Sequence, residues 1–140
     1  PAEQTCEHIG KALRDVAASA ADLGVEVRLE VHGKDSSNPK WCRLMMDAAD
    51  HDNALICWNS NPTDMDEQGS IDWSFDLLKH KLALVHINEI GVPQYPWQDL
   101  FDKLKGIGYE GFCLAEIAYN PEPERFMKYY RRLFDLYTAG

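Results

Sequence analysis

A chain of 140 residues, 45% of them apolar, can bury one compact core but not two. Its formal net charge of −9 comes without a basic cluster, which argues against nucleic acid and anionic membrane surfaces as partners. No apolar run approaches the roughly 20 residues of a membrane span.

From Glu3 to Leu23 apolar residues recur at helical spacing in an Ala-rich stretch, and Gly24 ends the helix. "VEVRLEV" then alternates strictly, as a half-buried strand does. "NPKWCRLMMDAAD" reads as a helix with Asn38 as cap and Pro39 at its first position. "ALICW" is a strand, and "SIDWSFDLLKH" a helix capped by Ser70. "LALVHI" is a strand, Pro96 opens the helix "WQDLFDKLKGIG", "GFCLAEI" is the fourth strand, and "EPERFMKYYRRLFDLY" the last helix. Cys6, Cys42, Cys57 and Cys113 are widely spaced with no C-x-x-C, and read as reduced core thiols of an intracellular, cytoplasmic protein. Pro1 leads straight into a helix with neither Met nor signal sequence, so the chain is expected to be a piece of something longer, whose own leader stays unread.

Strands separated by helices pair in parallel through right-handed crossovers, so the class is α/β. A doubly wound sheet usually shows a Gly-rich phosphate turn, and neither G-x-G-x-x-G nor G-K-[ST] occurs. A (β/α)8 barrel needs about 250 residues, and this chain is half of one. The strand tips decide between them. By alternation, Glu30 and His32 share a face on the first strand, and Leu55, Cys57, Asn59 and Asn61 on the second. Leu82, Leu84, His86 and Asn88 share one on the third, and Phe112, Leu114 and Glu116 on the fourth.

Most of these faces are apolar below and polar at the C-terminal end, where barrels carry their chemistry. Glu30, Asn59, His86 and Glu116 thus offer oxygen and nitrogen donors to one point, a set suited to Mn²⁺, Mg²⁺ or Co²⁺. Singly, each has a blander reading. A glutamate can cap a helix or pair with Lys, and a histidine in an apolar strand can be a satisfied core residue. Asn59 and Asn61 precede Pro62, as turn residues do. Arg28 falls one layer below Glu30 and lacks an evident partner. His8, His51 and His80 fall on helices or their ends and read as surface residues.

"GVEVRLEVHG", "LICWNSNP", "LVHINEI" and above all "YPWQDLFDKLKGIGYEGFCLAEI" resemble the sugar phosphate isomerase/epimerase family of xylose isomerase-like (β/α)8 barrels, strands 5 to 8. Residues 1–140 would then be a single domain, the C-terminal half of such a barrel. The resemblance implies Glu30, Asn59, His86 and Glu116 as metal ligands, with His32 in a substrate-contacting position; Asn61 and Asn88 join it as candidate substrate contacts. The departure lies in the second strand. Asn59 stands where the family usually has Asp and Asn61 where it usually has His, so the four ligands carry one negative charge fewer and the ion is held more weakly. The two amides of Asn59 and Asn61, with Thr63, suit hydroxyl recognition, and Asp64 keeps a carboxylate nearby.

The resemblance implies proton transfer beside a sugar or sugar phosphate carbonyl, with Glu30 and Glu116 as base and acid and a divalent metal as cofactor. One alternative is a non-catalytic sugar-binding barrel with a weakened metal site. A relative of the abasic-site endonucleases would need a His-rich zinc cluster and a basic face, and neither is present. Four strands do not close a barrel. An N-terminal half-barrel is therefore the expected partner, and the 140-residue chain alone is expected to self-associate and to be inactive.

Overall fold

The computed structural model describes residues 2–139. Helices α1 (Ala2–Ala21), α2 (Pro39–Ala49), α3 (Asp72–Leu78), α4 (Trp97–Gly106) and α5 (Pro123–Thr138) alternate with strands β1 (Val27–Glu30), β2 (Ala54–Asn59), β3 (Leu82–Ile87) and β4 (Cys113–Ala115). The strands form one parallel sheet in the order β1-β2-β3-β4, the α/β arrangement expected from the alternation. No helix among the described residues is long and apolar enough to cross a membrane.

Side-chain alternation divides the sheet cleanly. Val31, Ile56, Trp58, Val85 and Ile87 face the helices and are buried with Phe75, Leu78, Leu100 and Leu104. Burying these large apolar side chains, at about 25 cal/mol per Å² removed from water, is the main force holding the layers together. By the same alternation the opposite face carries Arg28, Glu30, Leu55, Cys57, Asn59, Leu84, His86, Leu114 and Glu116. Phe112, just before the last strand, and Leu114 on it are 74% and 45% exposed. β2 and β3 slip by one residue, Ile56 pairing with Leu82 but Cys57 with Leu84, which sets Asn59 level with His86.

Local chemistry explains the element ends. Asn38 accepts the Lys40 backbone N–H with its side chain, and Pro39 occupies the first turn of α2, where no N–H is missed. Arg14 of α1 donates to the carbonyls of Ala48 and Ala49, satisfying the last turn of α2. The first strand is shorter than "VEVRLEV" because the Val25 N–H turns back to Ala20 and finishes α1 instead. Ser70 lies just outside α3 and accepts the Asp72 N–H, while the segment read as the end of that helix tightens into a 3-10 turn, Lys79–Lys81. The four cysteines are free. Burial raises the thiol pKa of Cys42 to about 12 and those of Cys57 and Cys113 to about 11.

Candidate functional site

Glu30 closes β1, Asn59 closes β2, His86 sits one residue inside the end of β3, and Glu116 follows β4 directly. The Glu116 N–H still donates to Ile87 at 2.9 Å, so its side chain keeps the strand's alternation. Nδ1 of His86 lies 3.1 Å from Oε1 of Glu30 and 3.5 Å from Oε2 of Glu116. One ligand atom from each of Glu30, His86 and Glu116 falls within 4.8 Å of the other two. Asn59, only 3% exposed, donates its amide Nδ2 to Glu30 Oε1 at 3.2 Å.

Two carboxylates this close repel unless a cation or a proton lies between them. Ligand atoms in an octahedral shell of about 2.1 Å bonds stand about 3 Å apart when adjacent and about 4.2 Å when opposite. The 3.1 and 3.5 Å spacings from His86 lie near the adjacent value, so Glu30, His86 and Glu116 could hold one divalent ion, and their oxygen and nitrogen donors match Mg²⁺, Mn²⁺ or Co²⁺.

The surrounding polar residues are braces. Asn61 donates Nδ2 to the carbonyls of Val31 (2.5 Å) and Asn59 (2.6 Å), tying the tips of β1 and β2 together. Asn88 donates to the Ser60 carbonyl, and Ser60 Oγ to that of His86, tying β2 to β3. The hydroxyl of buried Tyr130, on α5, reaches the carbonyls of Ile87 and Asn88 at 2.9 and 2.8 Å. His32 is exposed in the loop after β1.

Four sequence expectations need correction. Asp64 is not a carboxylate facing the site: it is wholly buried behind the β2 loop. Thr63 donates its hydroxyl to the Ser37 carbonyl and so braces the neighbouring loop. His51 is half-buried rather than on the surface, its Nδ1 accepting the Asn53 N–H, whereas His8 and His80 are exposed. Arg28 finds its partner two residues away, in Glu26, whose carboxylate takes both Nε and Nη2.

A cavity of about 670 Å³, walled partly by Arg28, Lys79, Tyr109 and Phe112, lies at the other end of the sheet, below the N-terminal ends of the strands. It contains none of the converging donors. The Glu30–His86–Glu116 cluster lies apart from this hollow, at the C-terminal ends of the strands.

The family model described as "Xylose isomerase-like TIM barrel" matches residues 1–133. Among solved structures, D-psicose 3-epimerase from Clostridium cellulolyticum H10 is similar with a TM-score of 0.71 at 19% identity, over 93% of this chain and 54% of that one. The 3-keto-D-glucoside 4-epimerase of E. coli is similar with a TM-score of 0.75 at 17% identity, over 100% of this chain and 56% of that one. The chain thus spans about half the length of these structures, which at such identities speak for the fold alone. No curated protein matches it.

Proposed function

Because the chain belongs to the xylose isomerase-like TIM barrel family, we propose that it is the C-terminal half of a sugar or sugar phosphate isomerase or epimerase. The observation that carries this reading is the convergence of Glu30, His86 and Glu116 at the C-terminal ends of three strands. Glu30, His86, Glu116 and the amide oxygen of Asn59 would hold a divalent ion, which when bound supplies Lewis-acid polarisation of a carbonyl. Glu30 and Glu116 stand on the outer strands, with His86 between them. One takes a proton from the carbon beside the carbonyl and the other returns it, and carboxylates held within reach of a bound sugar suit both steps. His32 holds a substrate hydroxyl. Asn61 and Asn88 already use Nδ2 on the backbone, so their contact with sugar falls to the amide oxygens. A preceding half-barrel completes the pocket wall. The test is Glu116→Gln in the full-length protein: ketose turnover with Mn²⁺ should fall about 10²- to 10⁴-fold, and unchanged turnover would refute the assignment.

One observation favours a second reading, a sugar-binding barrel without catalysis. The Asn59 amide bonds Glu30 directly and, being neutral, leaves the ligand set one negative charge short of a set with Asp there. Calorimetry separates the two. A non-catalytic barrel binds sugar equally well in chelator and in Mn²⁺, whereas a metal-dependent enzyme binds it better with the ion.

A further inference from the structure

Behind the site runs a chain of buried hydrogen bonds that neither the ligand set nor the proposed chemistry uses. The indole of Trp58 donates to the hydroxyl of Tyr95 at 3.1 Å, and that hydroxyl donates to Oδ2 of Asp64 at 2.9 Å. The same Oδ2 accepts the Asn61 backbone N–H at 2.8 Å, and the Asp64 N–H returns to the Asn61 carbonyl. From Asn61 the connection goes forward: its side-chain amide grips the backbone carbonyls of Val31 and Asn59. Val31 directly follows Glu30, so the two strand tips meeting at Asn61 are those that carry Glu30 and Asn59. Tyr95 comes from the segment between β3 and α4, and Ser74 at the start of α3 donates to the Asp64 carbonyl at 2.7 Å. Trp58, Asp64 and Ser74 are almost wholly buried, and Tyr95 is 7% exposed.

We propose that Asp64 is a positioning residue, whose carboxylate, acting through Asn61, fixes where β1 and β2 present Glu30 and Asn59. A carboxylate is an expensive group to hide, since its desolvation favours the neutral form. Here Oδ1 has no hydrogen-bond partner among the described residues, and burial lifts the pKa to about 7. A residue needed only to fill space would be better replaced by an apolar one. What the carboxyl provides is an oxygen taking two donors at once, from elements that otherwise end in independent loops. A proton on Oδ1 leaves that acceptor in place. This inference rests on the reading of Glu30 and Asn59 as site residues.

Three variants of the full-length protein test it: Tyr95→Phe, which removes one donor; Asp64→Ala, which removes the acceptor; and Asp64→Asn, which keeps an acceptor oxygen. Two quantities are read, the side-chain amide NMR resonances of Asn59 and Asn61 in chelator and the Mn²⁺ dissociation constant by calorimetry. Tyr95→Phe and Asp64→Ala should displace both pairs of resonances and weaken Mn²⁺ binding about 10- to 100-fold, the range for losing a residue that orients a ligand. Asp64→Asn should stay nearer to wild type in both. The inference is overturned if the resonances keep their wild-type positions, or if they move while Mn²⁺ affinity is unchanged. If Asp64→Ala does not fold, Tyr95→Phe decides by the same criteria. If the wild-type protein takes up no Mn²⁺, the metal reading fails by itself, and the resonances alone decide this one.

Discussion

Asn59 gives its amide nitrogen to Glu30 Oε1 at 3.2 Å, a bond that an ionised carboxylate in its place could not make. The amide acts as a neutral clamp: it steadies one carboxylate without adding a second negative charge. Asn59→Asp should reverse that balance. With an ion present, the extra charge tightens binding, and the Mn²⁺ dissociation constant should drop at least about 10-fold, the scale of a ligand-shell change. In chelator, the introduced carboxylate faces the partly exposed Glu30 at short range, and repulsion lowers the melting temperature. Calorimetry and thermal unfolding, each with and without Mn²⁺, check both arms; a variant whose stability ignores the ion would contradict this account.

The buried carboxyl of Asp64 ties stability to pH in an unusual direction. Its pKa rises from an ordinary 3.8 to about 7 in the fold, chiefly through burial, with the bonds from Asn61 and Tyr95 opposing the rise. The fold therefore prefers the protonated group. That preference is fully present below about pH 4 and disappears as pH climbs through about 7. Relative to Asp64→Asn, wild type should lose roughly 2 to 3 kcal/mol of stability between about pH 5 and 8, following the linkage relation. Urea unfolding of both proteins at the two pH values measures the difference directly.

Where α1 crosses α2, Gly10 has no room for a methyl group. A β-carbon there would come within 2.5 Å of both the Met45 carbonyl oxygen and the Ala48 β-carbon. Alanine in a helix interior gains about 1 kcal/mol over glycine, but overpacking against backbone costs about 1–3 kcal/mol. The clash should win. Gly10→Ala lowers the melting temperature while Mn²⁺ affinity stays as in wild type, because neither helix end touches the site.

Thiol chemistry offers a further check. With pKa values raised to about 11 or 12, Cys42, Cys57 and Cys113 are almost wholly protonated at about pH 8. A disulfide reagent such as DTNB attacks thiolates. It should label these three slowly in the native protein and rapidly after denaturation. Fast native labelling of Cys57 would mean that the open sheet face is more accessible than its 3% exposure indicates.

Strict alternation made the site legible. In a parallel sheet the parity of a residue decides its face, so Glu30, His86 and Glu116 could be aligned from spacing alone. The bracing was not legible. Tyr95 sits in an irregular segment before Pro96, and Tyr130 is one aromatic among several on α5; neither position has a periodicity that names its partner. Asp64 was expected to keep a carboxylate near the site because it follows the strand tip closely in sequence, whereas the 3-10 turn Pro62–Asp64 folds it inward. The partner of Arg28 could have been found by the same parity rule, since Glu26 lies two residues earlier on the same side.

The outer strands β1 and β4 each leave one row of backbone donors and acceptors without a neighbouring strand. Since all four strands point the same way, β4 of one molecule can continue the ladder onto β1 of another only head to tail. Two molecules joined at both seams would give a closed eight-stranded ring, while a join at a single seam would leave an end able to recruit a third. Concentration-dependent light scattering on the 140-residue chain should therefore reveal either a discrete pair or open-ended growth, and mixing in a complementary half should suppress both.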